Sequence, residues 1–336
     1  MRIIRDIVLL FMLLTTLFAA AQQWESDELG ADFKVRYFNY LKDYSDTDVR
    51  SSLVKLENSE KNDIALLYIH GFNDYFFQKE LAYKFRDNNY AFYAVDLRKY
   101  GRSLLPAQKK CQVRSFDEYF ADIDSAINVI NEDGIDKIVL MGHSTGGLIA
   151  SYYVMKHEAA PIRALLLNSP FLDWNLGGLE PFVGLVSALG GLFPNVSISS
   201  GEGSAYGESL HADFHGEWEF DLNKKSIDPI QVDLGWVKAV NSAQRFLRKH
   251  KNKIDIPVLL MYSSHAIDAE VWSPDVHQAD VVLDVKDIRK YGLELGSEVS
   301  TIEVENGMHD LILSSPEVRY GLYDSIFKWL SWKLKK

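Results

Sequence analysis

A mostly parallel β-sheet with helices on both faces is the fold class that this sequence predicts, on three observations. Short apolar runs alternate with segments of helical periodicity. One of those runs passes directly into a Gly-x-Ser-x-Gly turn that opens a helix. A long stretch in the second half breaks the alternation, as an insertion into the sheet would.

The runs that read as strands are 64–69, 90–95, 137–141, 164–167, 258–262 and 301–304. Two earlier stretches, near 33–40 and 49–56, predict an N-terminal hairpin on the sheet edge. Between strands, Phe116, Tyr119, Phe120, Ile123, Ile127 and Ile130 fall on one helical face, and Ser115 with Glu118 makes a capping box at its start. A last helix begins at Ser315-Pro316-Glu317, with serine as N-cap and proline at the first helical position. Tyr320, Tyr323, Phe327 and Leu330 are expected on one face of it.

The chain has 336 residues, 47% hydrophobic and 25% charged, enough for one large domain with an insertion or for two small ones. Neither internal repeats nor a Gly-, Ser- or Pro-rich linker marks a boundary. A formal net charge of -11 argues against nucleic acid as a partner. Arg2 and Arg5 precede a short apolar run that ends in Ala19-Ala20-Ala21, the pattern of a secretory signal peptide over 1–21. Export to the periplasm or the exterior, after cleavage near Ala21, is the expected localisation; an uncleaved anchor is the alternative. Cys111 is the only cysteine and lies far from that junction, so no lipid attachment cysteine and no internal disulfide are expected.

Gly142-His143-Ser144-Thr145-Gly146 follows the strand at 137–141 and opens a helical run. In that context a strained turn lifts the serine hydroxyl off the sheet, and the flanking glycines remove Cβ atoms that would clash. The new helix aims unpaired N–H groups at the same place. Ser144 is therefore a candidate nucleophile. Three further landmarks occur in order: His70-Gly71-Phe72 after the strand at 64–69, Asp96-Leu97-Arg98-Lys99-Tyr100-Gly101-Arg102-Ser103 after the next, and Gly307-Met308-His309-Asp310 after the last.

With these motifs the chain, from about Ile64 to its end, resembles the α/β-hydrolase superfamily. Within it, the match is to the serine aminopeptidase-like, monoacylglycerol lipase and lysophospholipase branch. The resemblance implies an α/β-hydrolase core at 22–170 and 237–336, with a cap or lid inserted at 171–236. The second landmark departs from the branch where Lys99 stands in place of glycine. The family's order of serine, acid and histidine implies His309 as general base, since it alone follows the last strand. It implies an oxyanion hole from the N–H groups of Thr145 and Phe72. His70 is expected to shape that loop. The acid stays open: Asp280 resembles the branch's D-x-V-x-D segment, Asp268 lies closer to the expected distance after the strand, and Asp284 or Asp310 stands behind both. His143, His157, His250 and His277 are expected to face elsewhere or to face solvent.

His211 and His215, four apart with Asp213 and Glu217, could form a metal face, but a polar surface of the cap is the preferred reading. No cofactor is implied. Asp96, Arg98 and Arg102 predict a buried or half-buried ion network beside the nucleophile. Trp174, Trp218 and Trp236 line either an acyl pocket or the core. The stretch 177–196 carries one charge, Glu180, and its Gly and Pro predict short mobile pieces. Such an apolar lid suits a fatty-acyl ester and admits transient membrane-surface contact. The acidic residues Glu202, Glu208, Glu217 and Glu219 would instead suit a peptide's free amine. The expected activity is carboxylic ester hydrolysis through an acyl-enzyme on monoacyl lipids. An exported aminopeptidase and a non-catalytic binding protein of the same fold are the alternatives.

Overall fold

Four strands are buried at every position: β4 (Ala65–Ile69), β5 (Ala91–Asp96), β6 (Ile138–His143) and β10 (Val258–Ser263). Strands this apolar need cover on both faces, which is what a parallel sheet between helix layers supplies. The computed structural model describes residues 23–57, 62–174, 182–199 and 203–334. The signal-peptide expectation over 1–21 lies outside them.

One nine-stranded sheet runs in the order β1-β2-β3-β5-β4-β6-β7-β10-β11. Its antiparallel edge is β1 (Glu25–Asp27), β2 (Gly30–Tyr40) and β3 (Val49–Leu56), with β3 antiparallel to β5. The predicted N-terminal hairpin is β2–β3. From β5 onward every pairing is parallel, through β7 (Ile162–Asn168) to β11 (Val299–Val304).

Alternation along the strands splits the core in two. Leu67, Ile69, Leu140 and Leu165 face one layer, and Leu66, Tyr68, Val139 and Met141 face the other. Helix α1 (Lys79–Asp87) and the last helix, α8 (Pro316–Lys333), cover the second face. Helices α2 (Phe120–Glu132), α3 (Thr145–Lys156), α6 (Leu234–Lys249) and α7 (Val285–Gly292) cover the first.

Helix α2 is preceded by a 3-10 turn at Phe116–Tyr119, and its entry is closed reciprocally. Asp117 N–H donates to Ser115 Oγ (3.3 Å) and Ser115 N–H to Glu118 Oε1 (3.1 Å). In α8 the N-cap Ser315 and the first-turn Pro316 stand as expected, while the expected face needs correcting at Tyr320. Ser315 caps through its backbone carbonyl, which accepts from Val318 and Arg319 N–H, and its side chain makes no capping bond. Tyr320 is exposed, because the buried face is Leu322, Tyr323, Ile326 and Leu330.

Between the neighbouring strands β7 and β10 the chain leaves the sheet. This segment holds α4 (Val183–Leu192), β8 (Ser197–Ser199), α5 (Ala205–Leu210) and β9 (Gln231–Asp233), with β8 and β9 paired antiparallel. The boundary expected at 236–237 falls inside α6, which begins at Leu234 and packs Val237, Val240 and Leu247 into the core. The short pieces expected around 177–196 are instead one ten-residue helix over the described part. A Cβ on Gly190 would lie 2.1 Å from the Leu234 carbonyl oxygen, so glycine there lets α4 sit directly against the start of α6. Residues 175–181, including Glu180, and Glu202 lie outside the described residues.

Candidate active site

Strand β6 ends at His143, and α3 starts two residues later, so Ser144 carries the whole reversal. Its backbone sits at φ 51°, ψ -117°, a region that a non-glycine residue occupies only when its surroundings hold it there. The holding contacts are visible. Ser144 N–H donates to the Asn168 carbonyl (3.0 Å), and the Ser144 carbonyl accepts from Gly147, Leu148 and Phe171 N–H. A Cβ on Gly142 would lie 2.4 Å from the Gly146 carbonyl oxygen, and one on Gly146 2.3 Å from that of His70. Both glycines are therefore required by close backbone approach.

The loop after β11 brings in His309, and the loop after β10 brings in Asp280. His309 Nδ1–H donates to Asp280 Oδ2 over 2.8 Å, with both side chains buried. Asp280 Oδ1 accepts the N–H groups of Val282 and Leu283, each at 2.8 Å, which fixes the carboxylate before the histidine reaches it. The proton on Nδ1 leaves Nε2 as the basic nitrogen. The His309 ring lies 4.9 Å from that of His143, the residue before Ser144. Among the described residues Ser144 Oγ and the imidazole do not form a hydrogen bond; such bonds often close only around substrate.

Asp268 is exposed, and the structure brings Asp280 rather than Asp268 to the imidazole. Asp284 caps α7 by accepting Lys286 N–H. Asp310 is engaged elsewhere, with Asn168.

Asn168 ties the two halves of the site together, and the sequence reading missed it. Its carbonyl accepts Ser144 N–H and His143 Nδ1–H, while its side chain donates to Asp310 Oδ1 (2.6 Å) and accepts Leu311 N–H (3.2 Å). Its signal was available: it ends the strand beside β6, where open α/β sheets place their site residues. Burial, with His309 close by, pushes the His143 imidazole down to about 3, so it is neutral at physiological pH. Burial and the Asp74 carboxylate push Asp310 up to about 6.

The loop after β4 closes the other side. A Cβ on Gly71 would lie 3.3 Å from Ser144 Cβ. His70 donates from Nδ1 to the Gly71 carbonyl (2.8 Å) and accepts Leu97 N–H at Nε2 (3.1 Å), so both ring nitrogens are committed to shaping the loop. Phe72 and Thr145 N–H, the expected oxyanion donors, have no acceptor among the described residues; Thr145 is the first residue of α3, where none is available within the helix.

Asp96, Arg98 and Arg102 are buried in ion pairs, as expected, but as two separate clusters rather than one network. Asp96 accepts from Phe76 N–H, Arg102 N–H and the Arg102 guanidinium, which also pairs with Asp27, while Arg98 pairs with Asp122. Lys99 stands at φ 64°, the left-handed region that glycine would take there, and its buried ammonium is paired with Asp43. The departure from the expected glycine is thus accommodated.

Other expectations are corrected. Residues 211–217 follow α5 as a turn, so His211 and His215 share no helix face: His211 is buried against the Phe220 carbonyl and His215 stacks on Trp272. No group of three His, Cys, Asp or Glu among the described residues could hold a metal ion. His157, His250 and His277 are half-buried against Tyr153, Phe246 and Trp272. Trp218 is spent on the Leu313 carbonyl, whereas Trp174 and Trp236 form an aromatic cluster with Phe171 and with Phe72 of the loop after β4. Glu217 pairs with Arg319, and Glu208 accepts from Ser204 Oγ.

With this geometry in place, the chain's relatives can be compared. The family model described as "Serine aminopeptidase, S33" matches residues 60–274, more than half of the chain. The chain belongs to that hydrolase family. Its fold is shared with the Paleococcus ferrophilus monoacylglycerol lipase at TM-score 0.62 and 20% identity, over 80% of this chain and 94% of that one. It is similar to "Probable lysophospholipase L2" of Haemophilus influenzae, 23% identical over 75% of this chain and 78% of that protein. It is also similar to mouse "Epoxide hydrolase 4", 28% identical over 33% of this chain; there the match spans only 30% of the relative's length.

Proposed function

We propose that the protein is a serine hydrolase that cleaves carboxylic esters of monoacyl lipids through an acyl-enzyme. The observation that carries this reading is the buried His309–Asp280 bond, which leaves Nε2 basic beside the strained Ser144 turn. In the proposed reaction Nε2 takes the proton from Ser144 Oγ as Oγ bonds to the acyl carbon, and the carbonyl electron pair moves onto oxygen. Phe72 and Thr145 N–H groups hold that charge. Collapse expels the alcohol with the proton from Nε2. Water, deprotonated by Nε2, then releases the carboxylic acid and restores Ser144. Asp280 keeps its bond to Nδ1–H throughout and stabilises the imidazolium.

Monoacyl lipids are favoured by the names of the relatives and by the apolar character of the insertion. Phe182, Leu185, Leu192, Phe193 and Val196 are all at least half exposed. Such a patch supports transient contact with a membrane surface, where each buried CH2 contributes about 0.8 kcal/mol. Export after cleavage near Ala21 belongs to the same proposal, supported by the basic, apolar and small-residue order of the N-terminus.

Labelling with a fluorophosphonate probe, followed by peptide mapping, tests the chemistry: Ser144 is modified and Ser144→Ala is not. An unmodified Ser144 in folded protein ends the reading. The family description favours a second reading, an aminopeptidase using the same residues. Against it, Glu217 is already paired with Arg319 and Glu208 accepts from Ser204 Oγ, which leaves the exposed Glu219 as the candidate for an amine among the described three. Comparing p-nitrophenyl acyl esters with aminoacyl-nitroanilides separates the two.

A further inference from the structure

The loop that carries Phe72 is gripped from outside the core. Lys225, in the segment between β7 and β10, is buried and donates from Nζ to Asp74 Oδ1 over 2.9 Å. Asp74 is buried too, and its Oδ2 accepts Gly71 N–H at 3.4 Å. The next insertion residue completes the grip: Asn73 Nδ2 donates to the Ser226 carbonyl (2.9 Å), and Ser226 N–H donates to Asn73 Oδ1 (3.2 Å). Asn73 itself holds the left-handed conformation at φ 49°. Phe72 therefore has both chain neighbours fixed, and its ring rests on Trp236 at 4.7 Å between centroids.

We propose that Lys225 is a positioning residue for the oxyanion hole: through Asp74 it holds the loop 70–74 so that Phe72 N–H points at the developing negative charge. The inference rests on the reading of Phe72 as an oxyanion donor. Lys225 does not touch the reacting atoms. Its role follows from the chemistry of Asp74, a buried carboxylate whose only ion-pair partner among the described residues is Lys225. Although burial opposes ionisation, the Lys225 ammonium holds that carboxyl below its ordinary range. An ionised Asp74 is the stronger acceptor for Gly71 N–H. The insertion thereby reaches the chemistry as well as the substrate.

The test uses the full chain with Lys225→Met, Lys225→Arg and the double variant Lys225→Met/Asp74→Asn. The double variant leaves no unpaired buried charge and so keeps the fold if the single one does not. The readouts are kcat and KM on a p-nitrophenyl acyl ester, affinity for an alkyl boronic acid, and amide hydrogen exchange at 71–74. The boronate forms a tetrahedral adduct whose oxygen occupies the oxyanion position. A donor displaced by about 1 Å costs on the order of 100-fold. The double variant is expected to lose about 10–100-fold in kcat, with KM within about threefold, to bind boronate more weakly by a similar factor, and to exchange faster at 71–74. Lys225→Arg recovers most of the loss. A folded double variant with wild-type kcat, boronate affinity and exchange overturns the inference, as does a loss confined to KM. If the wild type is neither labelled by fluorophosphonate nor bound by boronate, the assignment of the site falls instead. Exchange at 71–74 then judges the clamp alone, and unchanged exchange overturns it.

Discussion

At the ends of β6, β7 and β10 the site is made of backbone constraint, whereas the insertion facing it is made of side chains. On the sheet side, Ser144 is held by backbone hydrogen bonds and by glycines that permit approaches no Cβ would allow. Asp280 is fixed by two N–H groups before it meets His309. On the insertion side, α4 turns large apolar side chains to solvent, and the segment joins the core by packing Leu210, Phe220 and Val232 into it and by separate polar links, such as Lys225 to Asp74 and Trp218 to the Leu313 carbonyl. In the proposed reaction, the chemistry, which tolerates only errors well below 1 Å, sits on the rigid half. In the proposed function, recognition of an apolar chain, which is non-directional, falls to the other half.

The sharpest way to break this contrast is on the rigid side. Asp280→Asn is expected to lower kcat by about 10⁴-fold by leaving His309 in the wrong tautomer, while Asp268→Asn changes it less than about twofold. Steady-state ester hydrolysis by the two variants checks this, and equal losses would remove the distinction between the loops. Asn168→Ala takes a donor from the buried Asp310 carboxyl and an acceptor from Leu311 N–H. It is expected to cost about 1–3 kcal/mol of stability in urea titration and about 10–100-fold in kcat. A stability loss without a kcat loss would show that the link between the Ser144 turn and the His309 loop is structural only.

Asp310 sharpens the comparison through pH. Burial raises its folded-state value above the unfolded one, so the native state binds the extra proton between about 4 and 6. Ionising it in place is unfavourable, and its contribution to stability falls as pH rises through that window. Asp310→Asn is therefore expected to gain on the wild type between pH 4 and 7, by about 3 kcal/mol at most. Urea midpoints at several pH values check the sign. The smallest effect belongs to the insertion. Leu185→Ser with Phe193→Ser should leave kcat on a soluble short-chain ester unchanged and lower the rate on lipid vesicles several-fold. A loss on both substrates would mean that α4 shapes the site itself.

Much of the molecule could be read from local pattern. Strands with no polar position announce a sheet covered on both faces, and the Gly142–Gly146 turn between a strand and a helix marks Ser144 because few other contexts need two glycines around a serine. The reciprocal cap at Ser115 is equally local, decided by residues within three positions of one another. Where the pattern misled, non-local packing had overridden it. Of the glycines that argue against a helix at 183–192, Gly190 is what lets α4 lie on α6, and Tyr320 was turned to solvent by a buried face offset by two residues.

The sequence by itself determined the fold class, the strand series and the strained position of Ser144, since periodicity and turn chemistry act over a few residues. Only the tertiary structure decided which aspartate reaches His309, that Asn168 couples two distant loops, and that Lys225 meets Asp74 across 151 positions of chain. Those contacts depend on where separate loops arrive in space. A carboxylate or an ammonium looks the same in a sequence whether it is solvated or sealed against its only partner.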